Sequence, residues 1–147
     1  MPIQSVKKIV QHSPKLMFDL VSDIKEYPKF VPGCKKIIIS ESAYENDSNV
    51  IIAKMTVGVG LILENFTSKI TLDSDNCTIV VNNYEGLFKK LNNVWIFEKD
   101  KNGCMVHFTI DFELIQTPIS PLIALMFSKV FNKYINAFEQ RANELYC

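Results

Sequence analysis

The sequence predicts an α+β fold in which a curved antiparallel sheet wraps around one long C-terminal helix, and three observations predict it. From Cys34 onward, β-branched runs alternate with polar turn clusters, the texture of an antiparallel meander. The run from Met105 to Ile115 alternates strictly, with Val106, Phe108, Ile110, Phe112 and Leu114 set against His107, Thr109, Asp111 and Glu113, so that strand has one apolar and one wet face. The stretch Ser120 to Leu145 carries Ile123, Phe127, Val130, Phe131, Tyr134, Phe138, Ala142 and Leu145 at three- and four-residue intervals. Lys129, Asn132, Lys133, Asn136, Gln140 and Asn143 fall on its other side, which is the stripe of an amphipathic helix. A one-faced sheet and a one-striped helix bury their apolar surfaces against each other, so the sheet is expected to curl around the helix.

Taken in order, Ile3 to Val10 reads as a first strand. Ser13-Pro14 marks a helix start, because serine accepts a free first-turn amide and proline has none to waste. Leu16, Met17, Leu20 and Val21 form the apolar side of that short helix. Asp23 followed by Glu26 has capping-box spacing and begins a second short helix through Tyr27 and Phe30, which Pro32 and Gly33 end. Six further strands follow: Ile37 to Ser42, Val50 to Val57, Ile62 to Leu72, Cys77 to Tyr84, Phe88 to Phe97 and Met105 to Ile115. Between them lie a polar turn at Glu45 to Asn49, a hairpin punctuated by Gly58 and Gly60, and turns at Asp73 to Asn76, Glu85-Gly86 and Asp100 to Gly103. Ser120-Pro121 repeats the helix-start signal. The seven strands thus carry two short helices after the first and one long helix after the last.

A chain of 147 residues buries about two-thirds of its unfolded surface in a single core. With no repeat, low-complexity tract or linker, residues 1–147 are read as one domain. Sixteen basic and sixteen acidic residues cancel, and like charges run no further than pairs such as Lys7-Lys8, Lys35-Lys36 and Lys89-Lys90. That balance argues against binding driven mainly by nucleic-acid phosphates, and no DNA partner is expected; a small local basic patch stays open. Cys34, Cys77, Cys104 and Cys147 are widely spaced without a CxxC, as reduced thiols in a cytoplasmic protein are. Strand-like residues begin at Ile3, which leaves no room for a cleavable presequence. Nothing approaches the roughly 20 consecutive apolar residues of a membrane span. The expected location is the cytoplasm, with a peripheral place at the inner face of the cytoplasmic membrane if an apolar surface touches lipid.

The local sequences resemble one branch of the START-type helix-grip proteins. The matching stretches are Phe18 to Cys34, with its Asp23-Ile24-x-x-Tyr27-Pro28-x-Phe30-Val31-Pro32-x-Cys34 run, then Phe66-Thr67-Ser68-Lys69-Ile70. Gly86-x-Phe88-Lys89-x-Leu91-x-x-x-Trp95-x-Phe97 and Phe112-Glu113-Leu114 follow, then Ala137-Phe138-Glu139-Gln140-Arg141-Ala142 with Leu145-Tyr146. They cover almost the whole chain and resemble the polyketide cyclase/dehydrase superfamily, in particular its coenzyme Q-binding proteins and ribosome association toxins of the RatA type. Gly33 stands where that pattern has tryptophan, and Leu87 where it has proline.

The resemblance implies a non-enzymatic protein that holds a polyprenyl quinone such as ubiquinone, or a similar lipid, in a tunnel between sheet and C-terminal helix, in support of respiratory electron transport. The quinone is then a bound ligand and not a redox cofactor, and neither cofactor nor metal is expected. Behind it stand two alternatives: a RatA-type protein that binds the large ribosomal subunit and blocks subunit joining, and, third, an aromatic cyclase with an acid or base beside a bound polyketide. The tunnel is expected to draw on Tyr27, Phe30, Val31 and Pro32 at its rim, and on Met55, Val57, Ile62, Glu64, Phe66, Ser68, Trp95 and Phe108 from the sheet. The helix adds Phe127, Phe131 and Tyr134.

Each of these also has a plainer reading. The Tyr27 to Pro32 segment is equally a packed corner fixed by two prolines, and Asp23 reads as a helix cap and not a ligand contact. The hairpin tip from Val57 to Leu63 is apolar where tips are normally polar; it suits contact with a membrane surface, the tunnel mouth, or a covering element or subunit. Glu64 and Ser68 share the phase of Ile62, Phe66, Ile70 and Leu72, pointing toward the cavity with Asn93 and Tyr134. A bare buried carboxylate is costly, so Glu64 should be paired, protonated or near a solvated mouth. Trp95, in phase with Leu91 and Phe97, belongs to the core with one edge on the cavity. His12 and His107 fall on different elements, which argues against a shared metal site or catalytic pair. No nucleotide motif is present. On the final helix, Phe127, Phe131 and Tyr134 are expected to line the cavity, while Phe138, Ala142 and Leu145 pack tightly.

Overall fold

The computed structural model describes residues 3–45, 48–59, 61–118 and 120–146, with their side chains except those of 45, 59, 126 and 128–132. Strand β1 (Ile3–Val10) leads into helix α1 (Pro14–Ser22), a 3-10 helix (Ile24–Lys29), then β2 (Cys34–Glu45), β3 (Ser48–Val59), β4 (Ile62–Asp73), β5 (Thr78–Gly86), β6 (Phe88–Asp100), β7 (Gly103–Leu114) and helix α2 (Ser120–Tyr146). The strands form one antiparallel sheet in the order β1-β7-β6-β5-β4-β3-β2. Its edges are therefore β1 and β2.

Local chemistry accounts for most boundaries. Ser13 Oγ accepts the Leu16 amide at 3.2 Å and caps α1, which buries Met17, Phe18, Leu20 and Val21. Asp23 departs from expectation. It sits at the N-cap of the 3-10 helix but its side chain makes no capping bond; the Glu26 amide goes instead to the Asp23 carbonyl at 3.1 Å, and the carboxylate lies 3.6 Å from Lys25 Nζ. A 3-10 turn satisfies its amides through the backbone three residues back, so the capping-box spacing finds no free donor. The Tyr27 hydroxyl donates to the Val21 carbonyl and ties this helix to α1.

Cys77 belongs to the turn and not to β5, because its φ of +48° is a left-handed conformation that no strand residue holds. Gly58 lies within β3, paired with Leu63, and Gly60 lies outside the described residues. The Ser120 hydroxyl also works differently from expectation. It donates to the Thr117 carbonyl at 2.9 Å and accepts the Thr117 amide at 3.3 Å, stabilising the turn before α2.

Strand β7 faces as its alternation predicts, with Val106, Phe108, Phe112 and Leu114 buried. Against this concave face α2 presents Ile123, Ile135, Phe138 and Ala142, all buried. Leu145 does not pack tightly as expected: it is 51% exposed, and the last turn of α2 is held instead by Tyr146, whose ring lies 5.8 Å from that of His12. The C-terminal half of α2 is anchored to β1 and the segment after it. Lys8 Nζ lies 2.7 Å from Glu139 Oε1 and also reaches Asn136, while buried His12 places Nε2 2.7 Å from Asn143 Oδ1. The core around Trp95 and Phe138 is one cluster. A second gathers around Phe88, Phe112 and Ile123 toward the start of α2.

Candidate functional site, an apolar cavity under the long helix

Inward-facing side chains of β3 to β7 meet α2 and the 3-10 helix around a cavity. About 140 Å³ of it is open to the centre of a water molecule, inside roughly 1140 Å³ of atom-free space that runs out to solvent. The period of two along each strand builds the wall: Met55 and Val57 from β3, Phe66, Ser68 and Ile70 from β4, Leu91, Asn93 and Trp95 from β6, and Phe108, Ile110 and Phe112 from β7. Phe127 and Tyr134 close it from α2, and Tyr27, Val31 and Pro32 close it from the corner after the 3-10 helix.

Polar groups on the wall are few and uncharged. No Asp, Glu, His, Lys or Arg is among the described lining residues. Asn93 Nδ2 is spent on the Thr109 carbonyl at 2.9 Å, and the Tyr27 hydroxyl on Val21. Ser68 is 4% exposed, and its Oγ has no hydrogen-bond partner among the described residues. Burial pushes the phenols of Tyr27 and Tyr134 well above the ordinary tyrosine range, and pushes the Cys34 thiol up to about 11. All three stay protonated near neutral pH. The described wall is therefore an uncharged apolar surface, on which the Ser68 hydroxyl is buried without a partner among the described residues.

Of the expected tunnel residues, Tyr27, Val31, Pro32, Met55, Val57, Phe66, Ser68, Trp95, Phe108, Phe127 and Tyr134 line this cavity. Three do not. Phe30 turns away to pack edge-on against Phe138 at 5.1 Å, with the Arg141 guanidinium 5.5 Å over its ring. Ile62 and Glu64 share the inward phase of β4 but lie beyond Phe66, where the wall ends at the β3–β4 hairpin. Glu64 is half-buried there. The side chain of Phe131 lies outside the described residues. Gln4, Val21, Ile24, Cys34, Ala53, Ile79, Val81 and Phe88 also line the cavity and were missed. Ala53 and Val81 were available from strand phase alone, whereas Val21, Ile24 and Cys34 reach the wall only through the folding back of α1 and the corner.

At the hairpin tip Leu61 is fully exposed and Leu63 largely so, so no element among the described residues covers it. The histidines take separate partners, His12 on Asn143 and His107 on Glu98 at 3.3 Å. Among the described residues no group of three His, Cys, Asp or Glu side chains could hold a metal ion, and no helix is long and apolar enough to cross a membrane.

Comparison with known proteins places this geometry in context. The family model described as polyketide cyclase / dehydrase and lipid transport matches residues 10–140. The ribosome association toxin RatA of Escherichia coli K12 is 34% identical over 151 aligned positions, covering 99% of this chain and 90% of that protein. The mitochondrial coenzyme Q-binding protein coq10 of Schizosaccharomyces pombe is 28% identical, covering 92% of this chain and 83% of its own. A START superfamily protein from Mycobacterium smegmatis superposes with a TM-score of 0.77 at 19% identity, over 97% of this chain and 98% of that one. The helix-grip architecture expected from the sequence is the fold of the chain.

Proposed function

The chain belongs to the polyketide cyclase/dehydrase and lipid transport family, and from that premise we propose that it shelters an uncharged, ring-bearing hydrophobic molecule, such as a polyprenyl quinone, without transforming it. The observation that carries this reading is the cavity wall: apolar, free of charged side chains among the described residues, with the Ser68 hydroxyl unpartnered on it. A carboxylate or phosphate would be desolvated there with no cation among the described lining residues to meet it, which weighs against fatty acids and phospholipid headgroups in the interior. A carbonyl or ether oxygen asks only for one donor, which Ser68 supplies. Likeness to a coenzyme Q-binding protein supports the same ligand class.

Size refines the reading. An apolar cavity of roughly 150 Å³ holds one benzene ring, so the interior of about 140 Å³ takes a headgroup and not a polyprenyl chain. A ring that buries about 200 Å² gains about 5 kcal/mol, near the lower bound of the cost of association. Tight binding therefore needs the first part of the tail to lie along the opening. The ionisable groups on the described wall, Tyr27, Tyr134 and Cys34, are all held protonated, so none of them supplies the deprotonated general base that a cyclisation would draw on near neutral pH.

Gentle purification, organic extraction and mass spectrometry should recover a quinone. Added short-tail quinone should quench the single tryptophan, Trp95, which lies on the wall, and should slow alkylation of Cys34. Recovery of no quinone, together with unchanged fluorescence and unprotected Cys34, would sink this function.

One specific observation favours a second reading, a RatA-type contact with the large ribosomal subunit: the full-length likeness to that toxin at 34% identity. With a net charge of zero, such contact rests on a local patch. Lys36, Lys54 and Lys69 share the convex face of neighbouring strands β2, β3 and β4, with Glu41 beside Lys69, and are the candidates for it. Co-sedimentation with ribosomes through a salt series tests it, and absence from the ribosomal fraction at low salt removes it.

A further inference from the structure

The two edges of the sheet are treated unequally. At β1, Lys8 is tied to α2 through Glu139 and Asn136, so that edge is fastened to the helix. Among the described residues no further strand pairs with the outer side of β2, nor with that of β1. Residues 38–44 are all exposed, with Ile38 at 46% and Ile39 at 42%. An exposed edge that carries Ile38 and Ile39 is a template for another strand.

Register and charge select the occupant. Lys36, Ile38 and Glu41 pair with Thr56, Lys54 and Ile52 of β3, so the three share the convex face, and Ile37 and Ile39 share the concave face. The residue between Ile39 and Glu41 is a bulge: Ser40 is skipped in the ladder and turns its hydroxyl to the Ile52 carbonyl at 3.3 Å. Laid antiparallel on a second copy with Ile38 opposite Ile38, β2 sets Ile37 opposite Ile39 on the concave side. Past the bulge it sets Lys36 opposite Glu41 on the convex side, twice by symmetry. Lys36 and Glu41 form no ion pair among the described residues, and both are exposed. We propose that β2 pairs edge to edge with β2 of a second copy of this chain, in a two-fold dimer centred on Ile38 that joins the two sheets into one.

Isologous pairing makes the test symmetric. In sedimentation velocity and light scattering from micromolar to several hundred micromolar, the wild-type chain should pass from monomer to dimer. Lys36→Glu or Glu41→Lys alone sets like charges opposite each other at both contacts and should weaken the dimer about tenfold. An equimolar mixture of the two variants, and the double variant K36E/E41K, should each recover wild-type association, because opposite charges again meet across the interface. Ile38→Lys should abolish it. Unchanged circular dichroism and thermal midpoints in the charge variants confirm that folding is not what changed. A chain that stays monomeric throughout this range, a dimer indifferent to single reversal, or a mixture that fails to recover overturns the proposal. A monomer that binds an extended segment of another protein at this edge is among the overturning results.

Discussion

Ser68 Oγ is walled off from bulk water without a hydrogen-bond partner among the described residues, and a buried polar group left so costs about 1–3 kcal/mol. Ser68→Ala removes that cost and leaves the wall apolar, so it should raise the thermal midpoint of the ligand-free chain while weakening quinone binding. A fall in both would mean that the hydroxyl serves the fold. The thiols give a second test at this scale. Burial pushes Cys34 and Cys104 up to about 11 from an ordinary 9.0, so the folded chain holds those protons after the unfolded chain has released them. The contribution of these two thiols to stability is then complete below pH 9 and is lost as pH rises from 9 toward 11. Denaturant midpoints across that window should fall, and less so in the double variant C34A/C104A. The inward facing of Ser68 was legible from its phase with Phe66 and Ile70. That Glu64, in the same phase, stands off the wall was not, because alternation fixes the face of a strand and not where along it the opposing layer stops.

Elements were the most legible level, and α2 shows both the reach and the limit. Its apolar stripe located Ile123, Phe127, Tyr134, Phe138 and Ala142 on the inner face, yet Ile135 is buried and Leu145 is exposed. A helix facing a strongly curved sheet is covered over a wider arc than a simple stripe in its middle, and over none beyond the sheet's end. Phe138 is fully buried and touches Trp95, Tyr27, Phe30 and Tyr134 at ring distances of 5.0–5.3 Å. Phe127 is half-buried beside the cavity, stacked on Phe88 at 5.6 Å. Phe138→Ala should cost about 3–5 kcal/mol and Phe127→Ala distinctly less, because a side chain beside a void has fewer partners to lose. Equal losses by chemical denaturation would mean a solid core. At the start of β7, Gly103 has φ +140° and a Cβ there would meet the Val10 carbonyl oxygen at 2.4 Å. Gly103→Ala should therefore destabilise by about 2 kcal/mol or more through both strain and backbone collision, where a turn glycine in open space would cost less.

At the scale of the whole molecule, sheet and helix close incompletely, and the size of the gap predicts how affinity depends on the ligand's length. The interior of about 140 Å³ accommodates the ring, so a tailless quinone should already bind, weakly. A tail that follows the ring into the larger space running out to solvent gains about 0.8 kcal/mol for each methylene it buries and nothing once it is in solvent. Binding to the folded state alone stabilises it by about 2.7 kcal/mol at one hundred times the dissociation constant, so thermal midpoints measured at a fixed concentration report affinity directly. Across quinones of zero to four isoprene units, the shift should climb over the first one or two and then level. A steady climb through all four would mean that α2 moves away from the sheet to admit the tail, and that the cavity is the closed form of a longer tunnel. No shift at any length would remove the quinone and leave the ribosomal reading.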